Sequence, residues 1–202
     1  MAAPPPPPDS PLVRPFALAG AALGVLAAVV LAAGPADLGA VGALAAAMLL
    51  GAALLLRRSR RRGEPAEHRR VVAAARLGGA EQVLVVGDPR LAAAAGERLT
   101  GGRVEHSGFD PTDLPFPAAS FDAVLSALAL HALPDRDARD RACAEVARVL
   151  RPGGRAVLLE FFRVAHELEL GLEDAGLTAV RRSGLRPAVF PPARRIEARR
   201  AP

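Results

Sequence analysis

The stretch VLVVGDPRL, Val83 to Leu91, places four apolar residues ahead of a glycine, an acid, a proline and an arginine. A buried strand ending in a tight turn that opens a helix brings free backbone amides to a nucleotide-like ligand. The chemistry this implies at Gly87 and Asp88 is binding. Asp88 also suits a helix N-cap and Pro89 the first helical position, so the pair starts a helix with or without a ligand. His131, in ALALHALPD, is the candidate general base, because an unperturbed imidazole titrates near neutrality; a loop position with no catalytic role explains it as well. Glu160 fits a rim, capping or substrate-contact role. Cys143 falls within an amphipathic run and reads as a small packing residue. A single cysteine among 202 residues rules out an internal disulfide and any multi-cysteine metal site, and four scattered histidines give no metal cluster.

These residues need a scaffold, and the pattern after Gly79 supplies one. Short apolar runs (QVLVVG, SFDAVLSALAL, RAVLLEFF) alternate with helical ones (PRLAAAAGERL, RDARDRACAEVARVL, ELELGLEDAG). Such alternation predicts an α/β sandwich around a mostly parallel sheet. Aromatic residues make up 3% of the chain, with no Trp or Tyr, so Ala, Val and Leu must build the core. All 26 basic residues are arginine, and five of them lie in RRSRRR, Arg57 to Arg62. From residue 80 to 176 there are 16 acids against 10 arginines, a net of −6. A folded region of that sign argues against nucleic-acid binding, which calls for a basic stripe.

Ahead of that region lie two uncharged runs, Phe16–Ala33 with 18 residues and Leu38–Leu56 with 19. Each is long enough to cross a bilayer core of about 30 Å as a helix. Gly34 to Asp37, GPAD, suits the turn between them. Two buried helices of a soluble domain are the alternative, but both runs are apolar all round and nothing else in the chain covers them. A cleaved signal peptide would account for the first run alone. RRSRRR after the second run places that end on the cytoplasmic side, and two spans return the Pro-rich N-terminus to the same side. The expectation is a multi-pass cell-membrane protein, its partner the lipid bilayer. Residues 1–15 are then a disordered tail, 16–56 a transmembrane hairpin, 57–79 a basic juxtamembrane segment with a linker helix, and 80–202 the folded domain.

From Asp113 to Phe161 the sequence resembles the second half of a class I S-adenosylmethionine-dependent methyltransferase of the ubiquinone/menaquinone-biosynthesis type. Four elements carry the resemblance in order: Leu114-Pro115-Phe116, Ser120-Phe121-Asp122 with Val124, Arg148-Val149-Leu150-Arg151-Pro152-Gly153-Gly154, and a strand ending at Glu160. LEDAGLTAV, Leu172 to Val180, resembles the element before the final hairpin of that fold. The resemblance covers roughly the last 120 residues. It implies a Rossmann-like sandwich, S-adenosylmethionine as cofactor, and a small or lipophilic methyl acceptor.

The same resemblance exposes departures. The family's Gly-x-Gly-x-Gly turn is here Gly87-Asp88-Pro89-Arg90-Leu91, and the acid that sits two residues before the first glycine is replaced by Val85. Between Gly87 and Phe121 there is room for one helix and one strand where the family fits two of each. Aligning HSGFDPTDLPF with the third strand places Asp110 where an acid reaches the adenine amino group. Counting from Gly87 places Glu105 near the ribose-binding acid of the second strand. The third-strand alignment is preferred, which leaves the ribose acid missing. The expected protein is a membrane-anchored, methyltransferase-like enzyme; the competing expectation is a fold kept as a tethered binding or scaffolding module after loss of its cofactor. Binding of a nicotinamide dinucleotide is weaker still, because its Gly-x-Gly-x-x-Gly fingerprint is absent too.

Overall fold

A computed structural model describes residues 38–202 except 109 and 190. The chain divides into two units, Met1–Arg57 and Arg58–Pro202. Within the first, helix α1 begins at Leu38 and ends at Arg58, following the second apolar run. Its Leu44, Met48, Leu49, Leu50, Leu54 and Leu55 side chains are exposed. One helix among the described residues is long and apolar enough to cross a membrane, and its apolar part lies before Arg57. The expected first span, Phe16–Ala33, lies outside the described residues.

The second unit opens with a π-helical turn, Ser59–Gly63, followed by α2 (Glu64–Ala75). Strand and helix then alternate: β1 (Gln82–Gly87), α3 (Pro89–Gly96), β2 (Arg103–Ser107), β3 (Phe121–Ala127), a 3-10 turn (Leu130–Ala132), α4 (Arg136–Val149), β4 (Leu150–Phe161), α5 (Phe162–Asp174), β5 (Leu177–Arg182) and β6 (Ala193–Arg200). The six strands stand in the order β2-β1-β3-β4-β6-β5. The first four are mutually parallel, and β6 runs antiparallel to both neighbours.

Side chains alternate across each strand, and the two faces build two cores. Leu84, Val86, Val124, Leu158 and Ile196 pack with α4 and α5 on one side. Val83, Val85, Leu125, Val157 and Leu159 pack with Val71, Val72 and Ala75 of α2 and Leu91 of α3 on the other. The expected linker helix is therefore part of the fold. Glu64, His68, Val71, Val72 and Ala75 follow helical spacing, and most of that stripe is buried. The folded unit begins at Arg58, not at Ala80 as expected, because a central parallel sheet needs cover on both faces.

Three of the four elements that carried the resemblance brace the amino ends of the strands. Asp122 accepts two hydrogen bonds from Arg151 at 2.8 and 2.7 Å and a third from the Gln82 amide at 2.8 Å, tying β1, β3 and β4 together. Arg148 donates to the carbonyls of Phe116 and Leu114, while Glu145 accepts from the Leu114 amide. Phe116 and Phe121 meet edge to face at 5.0 Å. A Cβ on Gly154 would lie 2.8 Å from the Arg151 carbonyl oxygen and 3.1 Å from that of Asp122. The Pro-Gly-Gly turn thus fills a place with no room for a side chain.

The topology revises one alignment. In the doubly wound order 3-2-1-4-5-6 the strand beside the first is the second. Arg103–Ser107 pairs directly with β1, Leu84 facing Glu105. The preferred third-strand assignment is overturned, and among the described residues no strand stands outside β2.

The role of α2 is open to direct test. Val71 is fully buried, so Val71→Ala is expected to lower the stability of the second unit by about 2 kcal/mol, measured by denaturant unfolding. A linker helix would give a change near zero.

Candidate functional site

In open α/β sheets, ligands bind beyond the carboxyl ends of the strands, where the strand order reverses. Here that point lies between β1 and β3, and a cleft of about 500 Å³ opens there. Gly87, Asp88 and Arg90 line it from the turn after β1, and Ala127, Leu128, Ala129 and Ala132 from the turn after β3. Arg61 of the π turn and Glu64 of α2 complete the wall. Neither Arg61 nor Glu64 was singled out from sequence. Both fall in the stretch 57–79, whose sequence presents a basic juxtamembrane segment and a linker helix.

The turn after β1 is a well-made helix start. Asp88 has an extended backbone, and its Oδ1 accepts from the Arg90 amide at 2.8 Å. Its Oδ2 lies 3.5 Å from Nε2 of the buried His68. Burial pushes the His68 imidazole below its ordinary value, with Asp88 and then Glu64 opposing that shift. Gly87 has φ +99°, and a Cβ there would stand 2.5 Å from that of Ala129. The approach of the β3 turn is enough to require glycine. Val85 is fully buried in the α2-side core.

The facing turn is shaped by Glu160. Its side chain is 0% exposed at the end of β4; Oε1 accepts from the amides of Ala129 at 2.8 Å and Leu130 at 2.7 Å. Oε2 stands 3.2 Å from Nδ1 of His131. Of the three roles considered for Glu160, capping is the one these contacts display. Just before this turn Leu128 adopts φ 52° and its amide donates to the Leu159 carbonyl at 2.7 Å. A left-handed backbone at a bulky residue costs energy and persists where its surroundings fix it, often at functional sites. His131 also touches the Phe161 ring at 4.5 Å. It does not line the cleft, although Ala129 and Ala132 do.

The remaining candidates lie elsewhere. Asp110 is exposed and turned onto its own loop, accepting from the amide and hydroxyl of Thr112; the backbone bond, first, holds its carboxyl below the usual range. Glu105 pairs with Arg103 at 2.6 Å in the middle of β2. Neither lines the cleft, so the structure brings together Gly87 and Asp88 but not Asp110 or Glu105. Cys143 is buried between α4 and α5, and burial, then Asp140, pushes its thiol up to about 12. No group of three or more metal-ligating side chains occurs among the described residues.

Comparison with known proteins agrees with this fold. Residues 68–158 match the family model described as a methyltransferase domain. A solved structure of 1,6-didemethyltoxoflavin-N1-methyltransferase from Burkholderia thailandensis, with bound 1,6-didemethyltoxoflavin and S-adenosylhomocysteine, superposes with a TM-score of 0.55 at 21% identity. That match covers 84% of this chain and 92% of that one. The folded unit has the class I methyltransferase fold. Its sequence is 41% identical over 88 residues to the ubiquinone/menaquinone biosynthesis C-methyltransferase UbiE of Bordetella parapertussis. The match covers 44% of this chain and 31% of the relative, so the chain aligns with about a third of that enzyme. The methyltransferase fold also hosts other chemistry: the [4+2]-cyclase SpnF superposes with a TM-score of 0.53 at 19% identity, over 72% of this chain and 84% of its own.

The lowered His68 value has a consequence for stability. Because the fold holds the imidazole neutral, the unfolded chain takes up its proton at higher pH. The stability from neutral His68 is complete above its ordinary value of 6.5 and is lost as pH falls below it. The unfolding temperature of the protein is therefore expected to drop as pH is lowered below 6.5, and His68→Gln is expected to flatten that fall.

Proposed function

We propose that this protein is an S-adenosylmethionine-dependent methyltransferase that acts on a small or lipophilic acceptor and uses the cleft between β1 and β3. The single observation carrying this reading is the position of the cleft, at the strand-order reversal of a methyltransferase fold. The charges along the cleft suit the cofactor's amino-acid end. Glu64 and Asp88 offer carboxylates to an ammonium group, and Arg61 and Arg90 offer guanidiniums to a carboxylate. Glu64 thereby supplies, from α2, the acid that Val85 no longer supplies from β1. The bound cofactor would provide the electrophilic methyl group. The protein's part is to hold the acceptor in line with it behind the two turns that Glu160 and Asp88 fix. Methyl transfer of this kind draws mainly on positioning, so His131 is not required as a base.

The apolar run of α1 supports a further part of the reading, a membrane anchor that places the domain beside lipophilic acceptors. The arrangement we propose has two spans, with both termini and the folded unit on the cytoplasmic side, following the arginines at 57–62.

Calorimetry on the full chain in neutral detergent tests the cofactor. Saturable heat with S-adenosylmethionine is expected, and Glu64→Gln should weaken the affinity about tenfold through loss of one charge-assisted contact. No saturable heat from protein shown to be folded would reject the cofactor and leave a tethered module built on the fold. The anchor is tested by washing: the chain is expected to stay with the membrane fraction through high salt and alkaline carbonate. Its release by carbonate would reject both spans.

A further inference from the structure

Four arginines surround a second cavity, far from the cleft along α2. It measures about 320 Å³ and is lined by Arg76, Arg155, Arg181 and Arg199, with Ala74, Ala179 and Glu197 among the other wall residues. Glu64 lines the cleft and Ala74 this cavity, so about 15 Å of helix separates the two, at 1.5 Å per residue. Among the described residues none of the four guanidiniums has a hydrogen bond or a carboxylate partner. The one acid in the wall, Glu197, is already engaged by Arg195 at 2.8 Å. Arg76, Arg181 and Arg199 are exposed and Arg155 is half-buried, whereas Arg139, Arg148, Arg151 and Arg200 of the same unit are held by carboxylates or carbonyls.

The sheet is built to bring these four together. Arg155 of β4 pairs with Arg199 of β6, and Val157 with Glu197, so all four share the face that α2 covers. Arg181 joins them through an irregularity. Thr178 pairs with Arg199, yet Arg181, not Val180, pairs with Glu197. The extra residue turns Arg181 onto this face and Val180 toward the opposite core. Ala179, within the bulge, holds φ 52° at an energetic cost and lines the cavity. Arg76, which ends α2, has φ 52° as well.

We propose that this cavity is a binding site for a phosphate-bearing anion carrying two or more negative charges. Guanidinium forks bind phosphate oxygens two at a time, and a cavity of this size is at the small end of ligand sites. Without an anion the cluster is self-repelling. Burial first, then Arg199 and Arg76, hold the Arg155 guanidinium below its ordinary range, with Glu197 opposing. The shared chemistry has two sources, a free diphosphate or the headgroup of an anionic lipid.

Inorganic pyrophosphate is the probe. Titrated into the full chain in neutral detergent, against sodium chloride of equal ionic strength, it is expected to raise the unfolding temperature saturably. The double variant Arg155→Gln, Arg199→Gln should weaken that affinity by at least about tenfold, while its unfolding temperature without anion is no lower than that of the parent. A second variant, Ala74→Glu, puts a carboxylate at the cavity edge and should abolish the response with the fold intact. Dihexanoyl phosphatidic acid, compared with pyrophosphate, identifies the source: tighter binding assigns the site to lipid, equal or weaker binding to free phosphate. A parent with no response beyond matched chloride, or a response that survives both variants, would overturn the site.

Discussion

A carboxyl group buried without partners is among the most expensive features a fold can contain, and Glu160 is fully buried. Its two oxygens are satisfied by the amides of Ala129 and Leu130 and by the His131 ring. That requirement fixes the turn after β3. The turn in turn presses Ala129 against Gly87, which must lack a side chain, and sets the backbone of Leu128 into a left-handed conformation. One wall of the cleft descends from this buried group, and the wall facing it rests on the cap that Asp88 makes. It joins the ends of β3 and β4 as the Asp122–Arg151 pair joins their beginnings.

The core must be made from small residues, and this explains the part played by α2. Val71, Val72 and Ala75 present a thin apolar face that lets the helix lie close to Val85, Leu125 and Val157. On the opposite side, α4 and α5 approach one another closely enough that Gly171 sits against Cys143 and Asp140. With no lysine in the chain, arginine bears the whole burden of positive charge. Its planar fork serves several carbonyls at once, as when Arg200 donates to those of Ala147 and Arg148. The same residue type, gathered on one sheet face without partners, becomes the cluster around Arg155.

Apart from Glu160, the short motifs that carry the resemblance to methyltransferases lie at the end of the sheet opposite the candidate site. Leu114-Pro115-Phe116, Asp122, Arg148 and the Pro-Gly-Gly turn brace strand beginnings, where they answer to packing and to hydrogen bonds within the fold. The strand endings form the walls of the cleft. Ancestry written in braces speaks for the fold, and chemistry has to be argued from the residues at the cleft. There the charges of Arg61, Glu64, Asp88 and Arg90 carry the argument.

The sequence by itself determined the alternation of strand and helix after Gly79, the helix start at Asp88-Pro89, the packing role of Cys143 and the apolar run that became α1. Each of these follows from local periodicity or from a cap that needs only its neighbours in the chain. Its reading of residues 64–75 as a linker failed because a short, alanine-rich stripe gives no local sign of what covers it; only the sheet, with a bare face to bury, decides that. The identity of β2 was likewise undecided by spacing, since one segment matched two strands, and was settled by pairing with β1. Asp110 and Glu105 are acids at plausible intervals, but the distance of a side chain from a cleft is set by where the chain turns in space. Glu64, His68 and Glu160 matter through contacts that join residues as much as 31 positions apart in the chain, and a separation of that kind carries no local signal. The bulge at Ala179 turns Arg181 to the opposite face of its strand, a choice made by pairing with β6 and invisible in the order of residues.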